Sequence, residues 1–224
     1  MAITFDTAGA VSTTFSDSLT QAITIAANDN RMLVVGVSGE TGNEVPLGIT
    51  YNNVALTKYD EQYYSANNNA CSFWYLAAPA TGENNLVVTW NGNTYRNVGW
   101  IVLYNVAQAA PEAGSKATNT GTTASVAVTT VADGAWIVDV VGTTSSTNNM
   151  TCSASQTERW ETTSNCRGNG STCPVATGGT EQTVSWTLTS GVWAIIAASF
   201  APAVSGGSAS ASPIESDQVT IFFM

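Results

Sequence analysis

Carboxylates are the groups best suited to chemistry in this sequence, because histidine is absent. Serine-type hydrolysis has no imidazole base here, whereas glycoside hydrolysis needs only two carboxylates. Asp139 lies within an apolar strand pattern, and Glu158 and Glu161 flank Trp160. We interpret Asp139 as a structural or solvated side chain on an outward or edge face, and both glutamates as ordinary loop residues. The sequence therefore predicts a protein that is not an enzyme and uses no cofactor.

Metal binding is not favoured by the pattern of acidic and cysteine residues. Asp29, Asn30 and Asp133 occupy turns that could hold calcium, but Asx residues also favour such turns for backbone reasons alone. Zinc is disfavoured because the cysteine spacing fits no standard motif and histidine is lacking. We predict no metal site.

The cysteines suggest a disulfide instead. Cys166 and Cys173 bracket a short segment rich in glycine and serine, 167–172, which we expect to be a flexible loop that a disulfide closes. Cys152 is an alternative partner, and Cys71 is the fourth cysteine. Four cysteines allow three complete pairings, and the sequence does not choose among them.

Aromatic residues beside amide and carboxylate groups mark a second candidate site. Tyr59, Tyr63 and Tyr64 cluster around Asp60 and Glu61, before an asparagine-rich stretch. Together with Trp160, these tyrosines predict a loop surface that binds a glycan or forms a subunit interface, since both uses favour exposed aromatic rings.

The charge balance excludes several partners. The net charge is −10, and the basic residues number six and are spread singly. No basic stripe is available for phosphates, so we expect no nucleic-acid binding. No apolar run approaches the roughly 20 residues that span a bilayer. The first residues lack the pattern of a signal peptide, and we expect a virion or extracellular location.

The periodicity along the chain is that of β-strands. Strands are predicted at 20–26, 32–38, 48–51, 54–59, 70–77, 85–90, 95–104, 124–130, 135–142, 154–160, 181–188 and 192–200, with a tight hairpin turn at Asn52-Asn53. No segment shows a convincing helical pattern. The sequence predicts one all-β domain over residues 1–203, a β-sandwich of jelly-roll-like type.

An internal repeat is predicted within this domain, as half-repeats 20–111 and 123–203. Residues 23–37 align with 126–140. Residues 85–90 followed by 98–103 correspond to residues 182–186 followed by 191–196. In this alignment Trp90 matches Trp186 and Trp100 matches Trp193, which is best explained by a shared core.

The last part of the sequence differs in composition. Residues 204–216 are rich in serine, glycine and alanine, as in a flexible linker. Residues 217–224 form an apolar, strand-like arm with Val219, Ile221, Phe222 and Phe223 as its partner-binding residues. The arm either returns to its own sheet or adds to a sheet edge in a neighbouring subunit.

Two short runs carry a family resemblance. Residues 51–57, Tyr-Asn-Asn-Val-Ala-Leu-Thr, and residues 74–82, Trp-Tyr-Leu-Ala-Ala-Pro-Ala-Thr-Gly, resemble a pattern in β-sandwich domains of phage structural proteins and some bacterial surface proteins. The likeness covers about half of the chain and consists of framework residues. It implies a virion or cell-surface setting and carries no functional residues across.

These observations predict a non-enzymatic structural protein of a virus particle, such as a bacteriophage capsid-decoration, fibre or tail component. Its sandwich and its terminal segments, 1–15 and 204–224, would contact copies of itself and other virion proteins. The alternatives are an extracellular carbohydrate-binding or adhesin module that binds surface glycans, and a subunit of a surface filament.

Overall fold

The computed structural model describes residues 1–39, 45–64, 69–144, 147, 149–164 and 166–204. Within them the chain forms strands and no helix. The strands are β1 (Thr4–Ile25), β2 (Met32–Gly39), β3 (Gly48–Tyr51), β4 (Val54–Ala55), β5 (Thr57–Tyr64), β6 (Asn69–Ala77), β7 (Gly82–Tyr104), β8 (Ala113–Thr129), β9 (Trp136–Thr143), β10 (Thr151–Cys152), β11 (Thr157–Thr162), β12 (Arg167–Pro174) and β13 (Glu181–Phe200).

The strands form two antiparallel sheets, which confirms the predicted all-β fold and is consistent with a β-sandwich. The first sheet has the order β4-β3-β7-β2-β6-β5, with β1 also paired to β7. The second has the order β10-β13-β9-β12-β11, with β8 also paired to β13. Each sheet is therefore built from one half of the described chain.

Each sheet folds over itself because its two longest strands bend. The pairing of β1 with β7 is interrupted near Ser16, and Gly92 in β7 has a φ of +97°. Before the bend β7 pairs with β3, and after it with β2. The space enclosed by this fold holds the first outer core, which is made of Ile23, Ile25, Leu33, Val35, Val37, Ile49, Tyr51, Leu56, Trp74, Leu86, Val88, Trp90, Val98 and Val102.

The second sheet encloses an equivalent space, the second outer core. The bend lies where the pairing of β8 with β13 is interrupted between Thr187 and Gly191. The core consists of Ala124, Val126, Val128, Ile137, Val141, Met150, Cys173, Val175, Val184, Trp186, Leu188, Trp193, Ile195 and Ala197.

A central core joins the two sheets face to face. It contains Met32, Val34 and Phe73 from the first sheet and Val138, Val140, Ile196 and Phe200 from the second, among others. The sheets approach closely at Gly36, where a Cβ atom would lie 2.3 Å from a methyl carbon of Val140. A larger residue at position 36 would push the sheets apart.

Several local predictions are confirmed. Asn52 and Asn53 have φ angles of +48° and +63° and join β3 to β4 as a two-residue hairpin turn. The pair of positive φ angles is what a type I′ turn needs, and asparagine tolerates them.

Two pairs of predicted strands are each a single strand in the structure. The segments predicted at 85–90 and 95–104 form β7, and those at 181–188 and 192–200 form β13.

The alignment of the two halves needs a correction of one residue. It matched Val34 with Ile137, but Val34 faces the central core and Ile137 faces the second outer core. Successive residues of a strand face opposite sides, so a shift of one residue exchanges the two faces. The matching of Trp100 with Trp193 is also wrong. Trp100 pairs with Val35 of β2, whereas Trp193 pairs with Thr143 of β9. In the corrected alignment of β2 with β9, these two pairing positions lie four residues apart.

The segment 1–15 lies mostly within the first sheet, as the first part of β1. Residues 4–13 pair with β7. The amino group of Met1 donates a hydrogen bond of 3.0 Å to the carbonyl oxygen of Ala203, and Val106 bridges to Pro202. Residues 1 and 203 therefore lie side by side.

Candidate functional site

The predicted tyrosine cluster lies on β5, at the edge of the first sheet. A bulge between Lys58 and Asp60 interrupts the pairing of β5 with β6. Tyr59, at this bulge, packs against the central core, with its ring centroid 5.7 Å from that of Phe73. Its hydroxyl group lies directly over Gly114 of β8. Tyr59 is thus a contact between the two sheets.

Further polar contacts join β5 to β8. Lys116 Nζ lies 2.6 Å from Asp60 Oδ1 and donates to the carbonyl oxygen of Glu61 at 2.9 Å. Thr120 Oγ1 donates to Tyr64 Oη at 3.0 Å. Tyr64 is therefore engaged by the opposite sheet, whereas Tyr63 is 40% exposed.

Trp160 does not belong to this surface, and its prediction as a glycan or interface residue is wrong. Its side chain is 4% exposed and packs in the central core. Cβ atoms on Gly99 and Gly170 would lie 2.1 and 2.2 Å from the indole, so both glycines provide the space for it. Trp160 lies on strand β11, and its ring is enclosed by both sheets.

The predicted disulfide between Cys166 and Cys173 is also wrong. None of the four cysteines, all of which the structure describes, is joined in a disulfide. The intervening segment, Arg167–Thr172, belongs to strand β12 and holds the two cysteines apart. Seven residues of extended chain span more than about 20 Å, whereas the Cα atoms of a disulfide lie within about 7 Å.

The partner-binding residues predicted for the arm, Val219, Ile221, Phe222 and Phe223, lie outside the described residues, as does the linker 205–216. The structure describes the sandwich that the arm would contact. Two of its longest strands have an open edge, besides the shorter edge strands β4, β5, β10 and β11. Strand β1 pairs with β7, and β8 pairs with β13; neither has a second partner in the described part of the chain.

Asp139 forms the most unusual polar site of the described residues. It lies in the middle of β9, is fully buried, and faces the second outer core. Trp186 Nε1 donates to Asp139 Oδ1 at 2.8 Å, and Gln156 Nε2 donates to Asp139 Oδ2 at 2.8 Å. Ser171 Oγ also donates to Oδ2. The expectation that Asp139 is on an outward or edge face is therefore wrong.

Gln156 connects this carboxylate to the loop between β10 and β11. Its Nε2 also donates to Ser171 Oγ at 2.8 Å, and its Oε1 accepts from the backbone N of Ser185 and from Ser153 Oγ, both at 2.7 Å. Every polar atom of the Gln156 side chain is used. The network thus joins the loop, β9, β12 and β13.

The Asp139 carboxylate has hydrogen-bond donors but no ion-pair partner among the described salt bridges. Burial raises the pKa of Asp139 to about 6, and the hydrogen bonds from Ser171, Trp186 and Gln156 lower it and so limit the shift. Burial disfavours the charged form because a low-dielectric interior solvates it poorly. The buried carboxyl group of Asp139 therefore holds its proton up to a higher pH than an ordinary aspartate does.

Sequence reasoning noticed Asp139 but not its partners. An aspartate within an apolar strand was a visible signal. Gln156 and Ser171 gave none, because each lies in a stretch rich in serine, threonine and glycine where polar residues are common. Their roles depend on strand pairing between distant parts of the chain.

Metal and membrane features are limited in the described residues. They contain no group of three or more acidic, histidine or cysteine side chains that could hold a metal ion. No helix in them is long and apolar enough to cross a bilayer.

No family model, curated protein or solved structure matches this chain.

Proposed function

We propose that this chain is a non-enzymatic structural protein of a virus particle, a capsid-decoration, fibre or tail component of a bacteriophage. In this proposal the sandwich is a rigid body, and residues 217–224 add as a strand to the edge of a sheet in a neighbouring copy. The observation that carries the proposal is the long open edge of β1, together with the apolar segment 217–224 beyond a linker.

The edge of β1 is suited to strand addition. On either side of the bend near Ser16, β1 pairs with β7 over residues 4–13 and 18–25, so each part is long enough for an eight-residue strand. Its only charged side chains are Asp6 and Asp17. An exposed edge offers unpaired backbone N–H and C=O groups, and natural proteins usually protect such edges with charges, prolines or short strands. The edge of β1 has little of this protection. Among the other edge strands, β4 and β10 are too short to receive an eight-residue strand, whereas β5 and β11 each carry three charged residues within eight and six residues.

The sequence of residues 217–224 supplies a matching strand. Val219, Ile221 and Phe223 alternate with Thr220 and Phe222, so an extended conformation would place apolar residues on both faces. Both faces would then be covered only if the strand joined a sheet and packed against a neighbouring surface. This composition favours docking on a partner.

The linker is long enough to reach a neighbour. Val204 is exposed and follows Ala203, which lies beside Met1 at the start of the first sheet. A flexible linker of this length has a root-mean-square span of about 20 Å and a fully extended span of about 45 Å. The arm would therefore begin close to β1 and could reach the β1 edge of a second copy.

The first experiment compares the full chain with a chain that ends at Val204. Light scattering over a concentration series is expected to show a discrete oligomer or a growing polymer for the full chain and a monomer for the truncated chain. A full chain that stays monomeric at every concentration would overturn the proposal of self-assembly.

Point variants identify the edge that receives the arm. Thr20→Lys and Thr24→Lys together place charges on exposed positions of β1 and are expected to abolish assembly. Thr123→Lys with Ala127→Lys is the matched control, since it places the same charges at exposed positions of β8. Loss of assembly in the β8 variant alone would show that β1 is not the receiving edge.

A carbohydrate-binding module is the second candidate, and the exposure of Tyr63 favours it. The phenol ring of Tyr63 is open to solvent beside Gln62, whereas Tyr59 and Tyr64 contact the other sheet. A glycan array probed with the purified protein tests this candidate. Binding that is lost in Tyr63→Ala supports it, and an array without specific binding excludes it for the glycans present.

A further inference from the structure

We propose that Asp139 is a proton-binding site that makes the sandwich more stable at mildly acidic pH than at neutral pH. This property is independent of the proposed assembly. It rests on a carboxyl group enclosed by an apolar core, held by neutral donors alone, at a position where the other half of the molecule has valine.

The geometry leaves the ionised carboxylate incompletely compensated. Three neutral donors, from Trp186, Gln156 and Ser171, contact its two oxygens. Hydrogen bonds from neutral groups reduce the cost of burying a charge, but they replace neither bulk water nor a counter-ion. Protonation removes the charge and leaves an acceptor on each oxygen, so the donors from Trp186 and Gln156 keep their partner.

The direction of the pH effect follows from proton linkage. The pKa of Asp139 is raised from 3.8 to about 6 in the folded protein, so the folded state binds the proton more tightly than the unfolded chain does. The stability that protonation contributes is fully present below pH 4 and is lost as the pH rises through 6. Between pH 8 and pH 5, Asp139 alone is expected to change the unfolding equilibrium constant by about tenfold.

Other titratable groups face Asp139 from the surrounding strands. The thiols of Cys152, Cys173 and Cys71 each interact with its charge, but burial raises the pKa of all three, so they stay neutral over this pH range. Glu158 on β11 lies near Cys152, and burial raises its pKa also. Glu158 is therefore the group whose titration must be separated from that of Asp139.

The experiment measures urea unfolding of the full chain at pH 5, 6, 7 and 8. We expect the wild-type protein to lose stability as the pH rises. For Asp139→Asn, the change in the unfolding equilibrium constant between pH 5 and pH 8 should be smaller than in the wild type by a factor of about ten. Glu158→Gln isolates the contribution of Glu158, and Glu181→Gln on the same sheet is an exposed control that should keep the wild-type profile. An Asp139→Asn profile equal to that of the wild type would overturn the proposal.

A direct titration makes the test independent of whether Asp139→Asn folds. Carbon-13 NMR of the assigned Asp139 carboxyl group in the wild-type protein is expected to show a midpoint near pH 6. A midpoint at or below about 4.5, close to that of an ordinary aspartate, would overturn the proposal even if the variant cannot be purified.

Discussion

The two outer cores occupy equivalent places in the two sheets, and yet at one matching strand position the first has a valine and the second a buried carboxylate. In the first sheet, Val35 of β2 pairs with Trp74 of β6 and Trp100 of β7. In the second sheet the same position of β9 is Asp139, which pairs with Ser171 of β12 and Ala197 of β13. The fold therefore accepts either a valine or an aspartate at this strand position.

The difference extends to the loop that closes each core. Leu56 precedes β5 and is buried in the first outer core. Gln156 precedes β11 at the equivalent place and binds Asp139. The second core has two small residues where the first has two tryptophans, and the glutamine side chain occupies part of the space. A buried carboxylate is thus tolerated because its neighbours changed with it, in size and in hydrogen bonding.

The largest effect is expected when the carboxylate is placed in the core that lacks its partners. Val35→Asp should destabilise the protein by about 5 kcal/mol at pH 7, since the charge would lie between two tryptophans with no arranged donors. Urea unfolding measures the loss. Val35→Ala is the control for lost packing, with an expected cost of about 2 kcal/mol. Equal losses in the two variants would contradict the comparison.

A smaller effect is expected when Asp139 loses one hydrogen-bond donor and an aromatic ring is kept at position 186. Trp186→Phe should cost about 3 kcal/mol at pH 7, because it leaves Oδ1 of a buried charge without its partner. Trp74→Phe is the matched change in the first outer core, where Nε1 donates to the neutral hydroxyl of Ser72 at 3.0 Å; it should cost about 1 kcal/mol. A larger loss in Trp74→Phe would reverse the comparison.

The smallest effect is expected for the shortest side chain of the network. Ser171→Ala should destabilise the protein by about 1 to 2 kcal/mol at pH 7. The loss should be smaller at pH 5, where Asp139 is mostly protonated and no longer needs a donor from Ser171. Unfolding curves at the two pH values test this, and a loss that does not depend on pH would show that Ser171 acts through packing alone.

Much of the fold could be predicted from local pattern. The strand β2 was predicted as 32–38 from its apolar run, and the turn at Asn52-Asn53 from the φ preference of asparagine. Both signals lie within a few neighbouring residues. The bends in β1, β7, β8 and β13 gave no comparable signal, because a long strand that folds over looks like two strands and a turn in the sequence.

Strand β12 was missed for a physical reason. Gly168 and Gly170 made residues 167–172 look like a loop, whereas both glycines lie in a strand that passes close to Trp160 and to Ser38. Glycine in a strand interior often marks such an approach. The partner of a close approach lies far away in the sequence, so the disulfide and the exposed position of Trp160 were natural but wrong interpretations.

Duplication of the two halves stays a prediction. The sheets share a strand order, in which β3, β7, β2, β6 and β5 correspond to β10, β13, β9, β12 and β11. Both also have a bulge two residues after the start of the edge pairing, at Tyr59 and at Arg159. These correspondences support duplication, and they gave the common register used to compare Val35 with Asp139.

The contact between Met1 and Ala203 has a consequence for the connectivity of the molecule. A short peptide could join these two residues across their 3.0 Å hydrogen bond, and the chain could be opened at the exposed tip of the hairpin, between Asn52 and Asn53. Such a circular permutant would keep every strand in place while the order of the strands along the chain changed. The architecture of the sandwich therefore does not depend on which strand comes first in the chain.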